Sequence, residues 1–333
     1  MERVVTRGVW GALAAFSVAG GCAQVRAEGG AHSPPSALPS ASAAVPKPAR
    51  VIAASDVEVS VGPLALRGLL ALPARTDGSL LPGVVFVAGS GPSDRDESVL
   101  GVKPFRDLAQ GLAAHGIASL RFDKRTFVHP ELFEGSSISV EGETIEDAIA
   151  AVALLRARPE VDTRRIVVLG HSLGALLAPE IATRAGGVSA LVLLAAPGRP
   201  VPDLILEQLR SRGVKPSDLA PLEARVQALP TLAASELVLG VPAGYWQDLA
   251  KRDEFGAARS LGRPVLLLRG SDDRQVAAVD QERWIEALSD HVPLESASLA
   301  GLGHLFTQQS TPAEPHVAPE AIERVARFVL AAR

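Results

Sequence analysis

The sequence predicts a mainly parallel α/β sheet with helices on both faces. Two observations support this fold class. Short, continuous apolar runs suited to buried strands alternate with amphipathic segments that have helical periodicity. A Gly-x-Ser-x-Gly pattern at Gly170–Gly174 also lies where one apolar run meets the next helical segment. Because strand–helix–strand crossovers are right-handed, this alternation places parallel strands between two layers of helices.

The expected elements follow one another along a single folded domain of residues 51–333. An antiparallel hairpin is expected to pair Val57–Val61 with Ala65–Leu72 across Gly62-Pro63. Further strands are expected at Val84–Ala88, Ile117–Phe122, Ile166–Leu169, Val188–Ala195, Val265–Leu268 and Leu294–Leu299, and helices at Phe105–His115, Glu143–Arg158, Leu173–Ala185, Ala278–Leu288 and Pro319–Ala332. Residues 199–262 interrupt this alternation with helical sequence broken by prolines, which predicts a helical cap over one sheet edge.

The composition excludes several classes of function. The 333 residues are 47% apolar and 21% charged, with a net charge of −4 and no basic stripe of the kind that binds nucleic acid. The single cysteine, Cys22, leaves the folded domain without a disulfide framework or a thiolate metal site. We therefore expect neither a nucleic-acid partner nor a metal or organic cofactor.

The first 50 residues predict targeting rather than folded structure. Arg3 and Arg7 precede an apolar stretch that ends in small residues before Cys22, which resembles a bacterial lipoprotein processing site. Ala19 stands where such sites usually carry a leucine-like residue. We expect residues 1–22 to be a signal and Cys22 a candidate lipidation site, with periplasmic or secreted export as the alternative. Residues 23–50, rich in Ala, Pro and Ser, are expected to be a disordered tether.

The candidate nucleophile is Ser172, at the centre of the Gly-x-Ser-x-Gly pattern. A serine hydroxyl needs a base to accept its proton and a third group to orient that base. The next-to-last predicted strand leads into Asp272 and Asp273, and the last leads into His304. Carboxyl ends of parallel strands share one edge of a sheet, so these groups are expected to meet there. Asp273 is favoured as the orienting acid by its spacing, whereas Asp272 suits a turn or the N-cap of the following helix.

A second expectation concerns the negative oxygen that forms when an acyl group is attacked. This oxygen needs backbone N–H donors. Leu173, directly after the nucleophile, and Ser90, in the glycine-rich turn Gly89–Pro92, are the candidates. A phosphate-binding loop is the competing interpretation of this turn, but neither Gly-Lys-Ser/Thr nor Gly-x-Gly-x-x-Gly follows it.

Together these segments resemble the α/β-hydrolase superfamily over residues 56–333. The resemblance is to bacterial serine esterases and acyl hydrolases, the dienelactone-hydrolase-like or S33-peptidase-like proteins. The segments that carry it are Gly89–Asp96, Arg121–Arg125, Gly170–Gly174, Gly270–Val276 and Gly303–Phe306. It implies a triad of Ser172, Asp273 and His304, with Ser90 and Leu173 forming the oxyanion site.

Two departures and one open alternative accompany the resemblance. Ala88 stands where many relatives have histidine, and Thr126-Phe127-Val128 follows the Asp-Lys-Arg segment where many have Gly-x-Gly. The second change affects a wall of the substrate pocket. Six charged residues could form a polar network that fixes the oxyanion loop, or simply a solvated charged face: Asp94, Arg95, Asp96, Asp123, Lys124 and Arg125.

The expected function is hydrolysis of a small-molecule carboxylic ester through an acyl-enzyme intermediate. A peptidase, amidase or thioesterase could use the same three residues, because bond type is decided by the pocket and the leaving group. A binding module on an inactive hydrolase fold is the alternative from another class. Contact with a membrane is expected only through an N-terminal lipid.

Overall fold

The computed structural model describes residues 51–73, 78–133, 138–308 and 315–332, and an eight-stranded sheet forms the centre of this part of the chain. Its strands are β1 (Val51–Val61), β2 (Leu64–Pro73), β3 (Leu81–Val87), β4 (Ala118–Phe122), β5 (Val161–His171), β6 (Val188–Leu194), β9 (Val265–Gly270) and β10 (Leu294–Leu299). Two short strands, β7 (Leu237–Val238) and β8 (Val241–Pro242), pair separately.

The order across the sheet is β1-β2-β4-β3-β5-β6-β9-β10. β2 pairs antiparallel with both β1 and β4, and the other neighbouring pairs are parallel. The prediction of a mainly parallel α/β sheet is therefore confirmed. β5 lies between β3 and β6, so the segment that ends just before Ser172 is hydrogen-bonded on both sides.

Helices follow most strands, as expected for crossover connections. They are α1 (Pro104–Ala114), α2 (Arg125–Val128), α3 (Glu146–Arg156), α4 (Leu173–Ala185), α5 (Val201–Ser211), α6 (Pro216–Ala228), α7 (Ala243–Ala250), α8 (Glu254–Leu261), α9 (Ala278–Leu288) and α10 (Pro319–Ala331). Four of them, α5 to α8, lie in the segment between β6 and β9 where a cap is expected. We refer to residues 199–262 as the cap segment.

The central strands bury side chains on both faces. Along β3, Val85 and Val87 pack into one apolar cluster with α3 and α4, whereas Val84 and Phe86 pack into a second cluster with α1 and α10. All residues of β3 and β6 are buried. This is the reason that their sequences are continuously apolar, without alternation of polar and apolar residues.

Several elements are longer than their sequences indicate. β5 begins at Val161, five residues before the expected start, because Val161 pairs with Leu81. The residues that follow, Asp162–Arg165, are polar and conceal the strand. The helix expected from Glu143 begins with a π-helical turn, Glu141–Ile145, before α3. That turn places Glu143 inside the protein.

The predictions for residues 1–22, Cys22 and residues 23–50 lie outside the described residues. Within the described part of the chain, every helix is too short or too polar to cross a bilayer.

Candidate active site

Ser172 lies on the sharp turn between β5 and α4, in a backbone conformation that serine rarely adopts. Its φ is 52° and its ψ is −120°. The two flanking glycines leave no space for a side chain. A Cβ on Gly170 would lie 2.2 Å from the carbonyl oxygen of Gly174, and one on Gly174 would lie 2.1 Å from that of Val87. The close approach of three backbone segments therefore explains both glycines of the motif.

Asp273 and His304 lie together at the carboxyl ends of β9 and β10. The His304 Nδ1 is 2.8 Å from the Asp273 Oδ2. The other carboxylate oxygen accepts hydrogen bonds from the backbone N–H groups of Gln275 and Val276, at 2.8 and 3.0 Å. With Asp273 ionised, Nδ1 is the donor in the first contact. The carboxylate thus fixes the orientation of the imidazole and leaves the His304 Nε2 on its other side.

The Asp273 carboxylate keeps its charge although it is buried. Burial raises its pKa, but attraction to His304 and the hydrogen bonds from His304, Val276 and Gln275 together lower it more, so the net pKa lies below its ordinary value. A carboxylate that stays ionised can orient an imidazole and stabilise the imidazolium that forms from it.

Asp272, the competing acid, occupies a different environment. Its side chain is exposed and accepts a hydrogen bond from the Ser271 hydroxyl at 2.8 Å. The N-terminus of α9 is capped by another residue, Asp280, whose Oδ2 accepts from the Ala277 N–H at 3.0 Å. The structure therefore brings Asp273, rather than Asp272, into contact with His304. Asp272 neither caps the N-terminus of α9 nor contacts His304.

A small cavity of about 40 Å³ joins the candidate nucleophile to the expected oxyanion residues. It is lined by residues from the loops after β3, β6 and β9, the Ser172 turn with the start of α4, and cap helix α5: Ser90, Ser172, Leu173, Pro197, Val201, Leu204, Ile205, Gln208, Gln275 and Val276. A Cβ on Gly89 would lie 3.3 Å from the Cβ of Ser172, so the loop after β3 packs directly on the turn. Leu173 is the first residue of α4, where the backbone N–H has no partner within the helix.

His171 connects these two groups of residues. Its ring lies 4.7 Å from the His304 ring between centroids, and its Nε2 lies 3.1 Å from the His304 carbonyl oxygen. Its Nδ1 is 3.0 Å from the Glu97 Oε1, which also accepts the Gly89 N–H at 2.7 Å. Glu97 is a site residue that no pattern in the sequence indicates. A lone carboxylate five residues after the Gly89–Pro92 turn matches no recognisable motif, and only the fold places it beside His171.

The His171–Glu97 pair is buried, and its surroundings favour the protonated form of His171. Burial lowers the pKa of His171. The charge of Glu97, the hydrogen bonds to Glu97 and to the His304 carbonyl, and the charge of Asp273 raise that pKa by more. The net pKa of His171 therefore lies above its ordinary value. With both ring nitrogens protonated, His171 can donate to Glu97 and to the His304 carbonyl at once. The imidazolium thereby ties the His304 backbone to the turn that carries Ser172.

The charged residues near the Gly89 turn form partly buried ion pairs. The Arg95 Nε is 3.2 Å from the Asp123 Oδ1, and the Arg121 Nε is 2.8 Å from the Asp96 Oδ1. Asp123 and Arg121 are buried. Of the two interpretations of these residues, the structure therefore favours the polar network over the solvated face.

Two further residues of that segment pair with the helical region before β5. The Lys124 Nζ is 2.8 Å from the Glu143 Oε1, and the Arg125 guanidinium binds the Asp147 carboxylate. Lys124, Glu143 and Asp147 are all buried. Within residues 51–73, 78–133, 138–308 and 315–332, no cluster of His, Cys, Asp or Glu side chains is arranged to hold a metal ion.

A family model described as the alpha/beta hydrolase family matches residues 84–316, which include β3, the Ser172 turn, the Asp273 loop and His304. The chain belongs to this family. The α/β-hydrolase fold expected from the sequence is thereby confirmed.

One curated sequence and several solved structures are similar to this chain. The chain is 39% identical to esterase EstD of Thermotoga maritima over 264 residues, which are 75% of this chain and 62% of that protein. Among solved structures, Est1E of Butyrivibrio proteoclasticus superposes with a TM-score of 0.57 at 15% identity, over 83% of this chain and 99% of its own. The acylaminoacyl peptidase of Pyrococcus horikoshii gives 0.61 at 15% identity, over 85% of this chain and 42% of its own.

The buried His171–Glu97 pair predicts a pH-dependent stability difference. The pKa of His171 is raised in the folded state. The pair therefore stabilises the fold fully at pH values below the unfolded pKa of about 6.5, and this stabilisation is lost as pH rises through the folded-state pKa. Glu97→Gln should lower the free energy of unfolding by about 3 kcal/mol near pH 6, and by less as pH approaches about 9. Urea unfolding of both proteins across this range measures the difference.

Glu131→Gln is the matched control, because Glu131 forms an exposed pair with His129 at 3.2 Å. This variant should show no pH-dependent difference from the wild type. A stability loss in Glu97→Gln that stays constant or grows with rising pH would contradict a charged His171.

Proposed function

We propose that this protein is a serine hydrolase that cleaves carboxylic esters through an acyl-enzyme intermediate. The observation that carries the proposal is the strained Ser172 turn beside a hydrogen-bonded His304–Asp273 pair at one edge of the sheet. Strain of about 1–3 kcal/mol is kept in a folded protein where the surrounding structure enforces it, and such positions concentrate at reactive sites.

In the first half of the reaction Ser172 is the nucleophile. His304 accepts the hydroxyl proton through Nε2 as the oxygen attacks the ester carbonyl, and Asp273 stabilises the imidazolium that forms. Collapse of the tetrahedral intermediate breaks the bond to the alcohol, which leaves with the proton from His304. The acyl group is then an ester of Ser172.

In the second half water replaces the alcohol. His304 takes a proton from the water, hydroxide attacks the acyl carbon, and the proton returns to the Ser172 oxygen as the acid leaves. Each half of the reaction passes through a tetrahedral intermediate that carries a negative oxygen. The backbone N–H groups of Ser90 and Leu173 are the proposed donors to it, since both residues line the cavity at Ser172.

The sequence relative favours an ester as the substrate class, and the cavity favours a short acyl group. EstD is named an esterase, and this chain is 39% identical to it while spanning 62% of its length. In addition, the cavity at Ser172 is small and lined by Val201, Leu204 and Ile205, which suits a short, apolar acyl group. A small ester such as p-nitrophenyl acetate is therefore the substrate of choice for the tests.

Ser172→Ala should reduce kcat for p-nitrophenyl acetate by at least about a thousandfold, because the hydroxyl that forms the acyl-enzyme is absent. Ser189→Ala is the control, since the Ser189 hydroxyl is buried in β6 and donates to the Ile166 carbonyl. It should change kcat by less than about twofold. Comparable turnover by Ser172→Ala and the wild type would refute the nucleophile.

Asp273→Asn and Asp272→Asn form a matched pair that tests the orienting acid. The first substitution removes the carboxylate bonded to His304 and should lower kcat by about a hundredfold to ten-thousandfold. The second changes an exposed neighbour and should leave kcat within about twofold. Steady-state kinetics on the same ester measures both. Equal losses in the two variants would show that Asp273 has no special part in the reaction.

A further inference from the structure

The peptide unit between Gly89 and Ser90 is held by a buried cation. The Lys124 Nζ donates a hydrogen bond of 2.9 Å to the Gly89 carbonyl oxygen. In a planar trans peptide the carbonyl of one residue points opposite to the N–H of the next, and the described residues contain no cis peptide bond. The hydrogen bond from Lys124 to the Gly89 oxygen therefore sets the direction of the Ser90 N–H.

The same contact changes the electrostatics of that peptide. An ammonium group on a carbonyl oxygen draws electron density away from the adjoining N–H, and hydrogen bonds in a chain polarise one another. The effect is strong here because Lys124 is only 3% exposed, so solvent does not screen it. The Ser90 N–H becomes a better donor toward the Ser172 cavity, which Ser90 lines.

A second contact holds the preceding amide from the other side. The Gly89 N–H donates to the Glu97 Oε1 at 2.7 Å. Gly89 is thus bonded through its N–H to a buried anion and through its carbonyl to a buried cation. Rotation of the Gly89–Pro92 turn would break one or both of these charge-assisted hydrogen bonds.

Lys124 is in turn connected to the cap segment. Its Nζ pairs with the Glu143 Oε1 at 2.8 Å, and the Glu143 Oε2 accepts the Tyr245 hydroxyl at 2.6 Å. Tyr245 belongs to α7 of the cap segment. Burial and the charge of Glu143 raise its pKa well above the ordinary value, so its hydroxyl remains a donor. A continuous path of three hydrogen bonds therefore runs from the cap to the Gly89–Ser90 peptide.

We propose that Lys124 is a positioning residue that aligns and polarises the Ser90 N–H for the oxyanion, and that Glu143 and Tyr245 make this alignment depend on a docked cap. The inference rests on the proposed function, in which Ser90 donates to the negative oxygen. It extends that function by making transition-state stabilisation sensitive to the position of α7.

Lys124→Met tests the alignment, because it retains a chain of similar length but removes the charge and the donor. With p-nitrophenyl acetate, kcat should fall by about thirtyfold and KM should stay within about twofold, since the lost interaction acts on the transition state. Inhibition by an alkyl trifluoromethyl ketone, which forms a tetrahedral adduct with serine, should weaken by a similar factor. A purely structural role would not link these two losses.

Tyr245→Phe tests the connection to the cap by removing one hydroxyl. It should lower kcat by about fivefold with KM unchanged. Trp246→Phe is the matched control on the same helix, because the Trp246 Nε1 donates to Val238 within the cap segment. This control also loses one buried hydrogen bond, and its kcat should stay within about 1.5-fold of the wild type.

The outcomes separate the inference from the proposed function. Folded Lys124→Met, verified by circular dichroism, overturns the inference if its kcat stays within twofold of the wild type while Ser172→Ala is inactive. Full activity of Ser172→Ala instead overturns the proposed function. If Lys124→Met does not fold, Tyr245→Phe decides: equal kcat in Tyr245→Phe and Trp246→Phe overturns the inference, and a selective loss in Tyr245→Phe supports it.

Discussion

The site depends on a backbone constraint at the end of β5. Ser172 is held at a positive φ because two glycines allow three segments of main chain to approach within distances that a Cβ would prevent. The strain is tolerated because β5 is hydrogen-bonded to β3 and β6 on either side and its last six residues are buried. The sheet thus supplies the free energy that holds the half-buried serine at the head of α4, where the first N–H groups have no partner within the helix.

Buried charges surround this turn, and their value lies in position rather than in stability. Removing an ion pair from water costs about as much as the attraction returns, so pairs such as Lys124–Glu143 contribute little net free energy of folding. They do fix the directions of backbone groups, since a misplaced partner would leave an uncompensated charge. Glu97 and Lys124 act on the two ends of Gly89. Around the Ser172 turn, the loop after β3 is therefore held by charge, whereas the turn itself is held by packing.

The sequence was sufficient to predict the features that depend on local pattern. The parallel sheet followed from apolar runs, and Ser172 from a motif that encodes close backbone approach. The strand pattern and the family resemblance together point to Asp273 and His304, and the structure brings these two residues into contact. Features that depend on tertiary contact were missed. Glu97, Glu143 and Tyr245 are distant in sequence from the groups they bind, and no local pattern distinguishes them from surface residues. The start of β5 was also hidden, because its pairing with Leu81 overrides a polar sequence.

The most direct test of the central claim is the identity of the residue that becomes covalently modified. Incubation with a fluorophosphonate, followed by proteolysis and tandem mass spectrometry, locates the adduct on one peptide. The strained turn and the orienting His304–Asp273 pair predict a single adduct on Ser172 and none in Ser172→Ala. An adduct on a different residue, or ester turnover by a protein that forms no adduct at all, would contradict the account.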